Sequence, residues 1–207
     1  MDGGRDEGQS VGMDQKEHLS RYLTRSRDDL VRKIDGLSEY DIRRPLVPSG
    51  TNLLGLVKHV ATVQLGYLGD VFGRPSGIET PWLTDESEPE ADLWATPDQS
   101  RAFVVDLLRR STAHADETIR ALPLDAPGDV PWWGPDRRAV TLHQILVHLT
   151  VETARHAGHA DVVRELIDGG LGNGPADPNL PDRDADGWRR HHDRVEAAAR
   201  AADQRAR

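Results

Sequence analysis

Apolar residues recur at spacings of three and four along most of this chain, and no stretch alternates in the way that marks a β-strand. From Asp14 onward, Leu19, Leu23, Ser26, Leu30, Ile34 and Leu37 form one helical stripe, with Gly36 as its expected stop. Two prolines give residues 38–50 a turn and an extended connection. Thr51 is the expected cap of a second helix running to about Phe72. Residues 73–95 hold prolines, glycines and acids and read as a long loop, a length that is functional or mobile more often than idle. Thr96, Pro97 and Gln99 form a capping box before a third helix carrying Val104, Leu108, Ser111, Ala115, Ile119 and Leu122, which Pro123 ends. After a second loop, Thr141 and Gln144 open the longest helix, and Gly169 and Gly170 stop it. A last helix places Trp188, His192, Val195, Ala199 and Ala202 on a thin apolar stripe.

The pattern predicts an all-α protein, a four-helix bundle with long crossover loops and an extra C-terminal helix. The expected divisions are a disordered N-terminal extension at 1–13, the bundle at 14–170, and a linker and helix at 171–207 that packs on the bundle. Met1 and Met13 are both admissible starts.

Composition narrows the function classes. The chain has 207 residues, with 26 Lys+Arg against 35 Asp+Glu and a formal net charge of −9. That acidity argues against a nucleic-acid partner, which needs a positive surface. Cysteine is absent, which removes disulfides, thiolate ligands and any thiol nucleophile of the chain's own. Mean hydropathy is −0.61, and no apolar run approaches the roughly 18–20 residues that span a bilayer. The N-terminus lacks the apolar region of a signal peptide, so no membrane partner and a cytoplasmic location are expected.

The longest helix carries the chemistry. Its expected inward stripe reads Ile145, Leu149, Glu152, His156, His159, Val163 and Leu166, so three ionisable residues interrupt a row that should be apolar if it only packs. Unpartnered, they would cost several kcal/mol to bury, and a metal ion is the economical compensation. Glu152 and His156 stand four apart on one face, a spacing that lets both reach one ion. His59, the one histidine of the second helix, lies among Leu56, Val60 and Val63 and is the best third ligand. Two neutral imidazoles, one carboxylate and a divalent ion leave a charge of about +1, which favours hydroxide or thiolate as a further ligand. A thiol would have to come from a cosubstrate.

Ordinary explanations compete with this one. A Glu–His pair four apart is commonly a surface ion pair. His159 suits a fourth ligand, an outer hydrogen-bond donor or a core histidine, and the outer donor is preferred. His148, one turn before Glu152, is open in the same way, and Arg155 suits either a substrate carboxylate or an acid nearby. Trp132 and Trp133 read as a plug over one end of the bundle or as a pocket rim. HExxH, GxSxG, a phosphate-binding loop and GxGxxG are all absent.

The segments Leu19–Leu68, PWW at 131–133 and Val140–Gly169 resemble the DinB-like superfamily, above all a branch of metal-binding proteins without assigned function. ETARHAGHADVVRE is the most specific part, and GLVKH supports it independently. The resemblance implies a four-helix bundle holding a divalent metal through three side chains. Many relatives have His on the second helix and HxxxH on the last; here Glu152 takes the first position of that pair. This matches the His/Glu/His variant of the mycothiol-dependent maleylpyruvate isomerases and carries the ligand roles to His59, Glu152 and His156. It further implies a low-molecular-weight thiol such as mycothiol, bacillithiol or glutathione as cosubstrate.

The leading expectation is thus a metal-dependent thiol S-transferase that takes a small-molecule thiol and an electrophile. The alternatives are a hydrolase using metal-activated hydroxide, and a non-catalytic metal-binding stress or interaction protein, with a homodimer as one option. Zinc is the expected ion; nickel, iron and manganese suit the same donors.

Overall fold

The structure, a computed structural model, describes residues 14–84, 86–172, 177 and 179–206; the extension at 1–13 expected to be disordered lies outside them. These residues divide into two compact units, one ending at Gly170 and the other beginning at Leu171.

The first unit is a bundle of α1 (Gln15–Val31), α2 (Leu53–Leu68), α3 (Arg101–Ala121) and α4 (Leu142–Asp168). α2 packs chiefly on α3 and α1 on α4, while α2 and α4 share the face that carries the candidate chemistry. Asp14 and Glu17 make a reciprocal capping box at the start of α1. The helix ends earlier than its stripe suggests, because Arg32–Ile34 tighten into a 3-10 turn before Gly36 takes a left-handed φ of 73°. Asn52, not Thr51, caps α2, its side chain accepting from Gly55 N at 2.8 Å. α2 stops at Leu68, because Gly69 leaves helical geometry and Asp70–Phe72 form a 3-10 turn.

Gln99 does reach back to Thr96 N at 3.2 Å, but that pair closes a turn. The cap of α3 is Ser100, whose hydroxyl accepts from Phe103 N at 3.1 Å. Two short strands that the periodicity does not predict, β1 (Pro127–Asp129) and β2 (Ala139–Thr141), pair antiparallel with Gly128 opposite Val140. Three residues are too few to show alternation. Thr141 then caps α4, and Gly169 ends it with a φ of 76°.

Two apolar clusters fill the bundle. One gathers Leu54, Val57, Val60, Leu107, Ala157 and Val163, and the other Leu23, Leu68, Ile119, Ile145, Leu146 and Leu149. Along α4 the clusters meet between Leu149 and Ala157, and Glu152 and His156 lie in that interval. The second unit contains α5 (Ala185–Ala206), begun by Asp184, which accepts from Gly187 N at 2.7 Å. No helix of the described residues is long and apolar enough to cross a membrane.

Candidate metal centre

The buried line of α4 runs through Ile145, Leu149, Thr153, Ala157, Ala160 and Val163. Glu152 and His156 stand one position to its side, on the flank facing α2. This corrects the expected stripe: His159 is exposed and Leu166 is 57% exposed. Between Leu149 and Val163 that line is made of the small side chains of Thr153, Ala157 and Ala160, and the larger Glu152 and His156 flank it, half-buried.

α2 supplies His59 across that groove. Glu152 Oε1 lies 3.0 Å from His156 Nε2 and 3.6 Å from His59 Nε2. Ligand atoms around a tetrahedral zinc ion stand about 3.3 Å apart, so the two gaps bracket the required spacing. The imidazole rings meet edge to face with centroids 4.6 Å apart. One donor atom from each of the three residues falls within 4.8 Å of the others, and this is the one such group among the described residues. His156 Nδ1 is buried without a hydrogen-bond partner among the described residues. A crowded set of imidazole nitrogens and a carboxylate oxygen at these spacings fits a divalent ion.

The electrostatics agree with that fit. Burial would raise the Glu152 carboxyl, but hydrogen bonds and charge from His156 and then His59 hold it below its ordinary value. Burial pushes His156 down, His59 adds to the effect, and Glu152 opposes it. The prevailing forms near neutral pH are therefore an ionised carboxylate and a neutral His156, both able to coordinate.

Sequence reasoning missed Asp92. Its Oδ2 lies 2.7 Å from His59 Nδ1, and His59 holds the Asp92 carboxyl below its ordinary value against the contrary effect of burial. An ionised Asp92 accepts the proton carried by Nδ1, which leaves Nε2 as the ring nitrogen on the Glu152 side. No local spacing links the two residues; only the general need of a ligating imidazole for an outer partner hinted at such a group.

The loop is clamped to deliver Asp92. Lys58, 1% exposed, donates to Ala91 O and Trp94 O at 2.8 Å each. Its ammonium also sits 4.3 Å from the centroid of the Trp82 ring. Trp82 Nε1 donates to Thr62 Oγ1 at 3.1 Å. Gly55 permits the approach, since a Cβ there would stand 1.8 Å from Leu93 O. Glu90 turns the chain into place with a left-handed φ of 65°.

The other candidates fall around the triad. The exposed His159 sets its ring edge-on to His156, with centroids 5.7 Å apart. His148 packs against Tyr67 and Trp133 at 4.7 and 5.1 Å. Trp132 and Trp133 both donate to the Tyr67 hydroxyl, at 3.2 and 3.1 Å. Arg155 is exposed. His59 with Glu152 and Tyr67 with His148 show that α2 and α4 run antiparallel. Tyr67 lies eight residues after His59 on α2, about 12 Å along the axis, and His148 lies four residues before Glu152 on α4, about 6 Å along it.

A sequence model of the family described as "MST: Mycothiol-S-transferase" matches residues 18–169. No curated protein matches the chain. Among solved structures, the crystal structure of the conserved protein of locus from Enterococcus faecalis is similar with a TM-score of 0.54 and 19% identity, covering 76% of this chain and 99% of that one. At that identity the likeness is one of fold.

Proposed function

The chain belongs to the mycothiol-S-transferase family, and on that premise we propose that His59, Glu152 and His156 hold a divalent metal ion and that the protein transfers a low-molecular-weight thiol of the mycothiol kind to an electrophile. The observation that carries this is the convergence of the three donors within 4.8 Å of one another. When bound, the ion supplies positive charge that favours the ionised form of a nearby thiol. Zinc suits the mixed nitrogen and oxygen donors and is the ion to try first.

The chain's own residues have separate tasks. Asp92 orients His59, and Lys58 holds the loop that brings Asp92. Glu152 contributes the single negative charge among the three donors, so the loaded site retains about +1 and attracts an anionic sulfur. During transfer the sulfur's electron pair forms the new carbon–sulfur bond while the leaving group departs with its own pair. On this reading the exposed imidazole of His159, whose ring meets that of His156, accepts the thiol proton.

Conjugate formation from mycothiol and an alkylating or arylating electrophile tests the proposal. The zinc-loaded protein is expected to accelerate it, and Glu152→Ala to abolish the acceleration. Activity unchanged in that variant overturns the reading, and turnover without thiol replaces it with hydrolysis.

A further inference from the structure

α2 continues past His59 into a second feature. From Thr62 to Tyr67 it lines a cavity of about 570 Å³, together with Asp70 of the following 3-10 turn, loop residues around Ser76 and Thr80, and Trp132. That volume is typical of a small-molecule site. Val63 lies one helical turn from His59, about 6 Å along the axis. Gly66 lets the indole of Trp132 lie on the helix, since a Cβ there would stand 3.2 Å from Trp132 Cη2. The Tyr67 hydroxyl tethers that indole from below.

The walls are selective by charge. Among the described residues lining the cavity there is no Lys, Arg or His, and Asp70 is the one carboxylate. An anionic ligand would lose hydration there, meet Asp70 and find no cation to pair with. A flat, uncharged ligand would instead lie on the indole, within reach of the Thr80 and Tyr67 hydroxyls. Resting on the transferase reading above, we infer that this cavity seats the electrophile, and that it accepts uncharged aromatic electrophiles and rejects anionic ones. With a chloronitroarene the thiol sulfur bonds to the ring carbon, chloride leaves with the bonding pair, and the thiol proton passes to base.

Binding of two unreactive probes, 1,3-dinitrobenzene and 3-nitrobenzoate, separates the possibilities. Calorimetry on the full chain, both metal-free and zinc-loaded, is expected to show the uncharged probe binding about tenfold tighter or more. Gly66→Leu fills the cavity and is expected to abolish that binding while zinc uptake persists. Asp70→Lys is expected to remove or invert the preference, and it decides the matter if Gly66→Leu does not fold. Equal or tighter binding of 3-nitrobenzoate to the metal-free protein overturns the inference, as does binding indifferent to both substitutions. Because the metal-free protein serves as an arm, a failure of zinc uptake counts against the proposed function and leaves the cavity to be judged separately.

Discussion

Asp92, in the longest loop, accepts a 2.7 Å hydrogen bond from His59 Nδ1 on α2, so a segment without regular structure sets the orientation of a ring on a rigid helix. The same carboxylate fixes the tautomer that leaves His59 Nε2 facing Glu152.

Removing that partner should therefore be felt in metal affinity before it is felt in the fold. Asp92→Ala is expected to weaken zinc binding by about 10–100-fold, with Asp92→Asn retaining part of the loss-free behaviour. Competition against a chromophoric chelator measures it; wild-type affinity in both variants would show that the hydrogen bond does not orient a ligand.

Metal should also stabilise the protein. At a zinc concentration of about 100 Kd the gain is about 2.7 kcal/mol, or roughly 5–11 °C in Tm for a domain of this size. Differential scanning calorimetry should show the rise, a chelator should reverse it, and Glu152→Ala should be insensitive to both. A rise that persists in Glu152→Ala would place the ion elsewhere.

Lys58 predicts a pH dependence. Burial pushes its ammonium down to about 8, while Asp92 and Asp98 oppose the shift. In the unfolded chain it titrates at about 10.4, so between those values the unfolded state holds more protons than the folded one. The Lys58 contribution to the stability of the metal-free protein should therefore be level below about 8 and rise with pH across that window. Lys58→Met keeps the apolar stem, loses the bonds to Ala91 and Trp94, and should flatten this part of the curve. Denaturant titrations across the window provide the comparison, and parallel curves would contradict it.

Two helical glycines should respond in opposite directions to the same change. Gly55→Ala drives a methyl into Leu93 O and should destabilise by about 2 kcal/mol or more through overpacking, loosening the Asp92 loop as well. Gly158 has nothing within 4 Å of its prospective Cβ, so Gly158→Ala should stabilise by about 0.5–1 kcal/mol through helix propensity. Chemical denaturation of both variants, with zinc titration of the first, checks the pair.

A smaller effect is expected at the end of α4. Arg164 donates to Lys33 O and Asp35 O at 2.9 and 2.8 Å and pairs with Asp168. The hydrogen bond from Arg164 holds the Asp168 carboxyl below its ordinary value. This stabilisation is present above the unfolded value near 3.9 and lost as pH falls through the folded one. Because solvent screens the pair, Arg164→Met should narrow the acid-dependent part of stability by only about 0.5 kcal/mol, measured between pH 5 and pH 3.

The helices were legible because their signals are local. Thr141 with Gln144, Gly169, and the Val104–Ile119 stripe each act within a few residues, and the stripe predicted for α3 is buried. Glu152 and His156 were legible for the same reason, since four residues of helix bring two side chains to one height. The errors were local too: Asn52 outcompeted Thr51 as a cap, and three-residue strands carry too little pattern to detect.

Periodicity could place ionisable residues on α4 but could not say on which side of the buried line they fall. His159 and Leu166 left the core, and Glu152 and His156 turned toward α2, because the contact surface between two helices is set by both partners. The convergence of His59 with that pair, the arrival of Asp92 beneath Lys58, and the cavity edged by Trp132 join segments far apart in the chain. A residue's neighbours in sequence dictate its helix and its height along that helix; what it touches across a groove depends on packing that no single segment encodes.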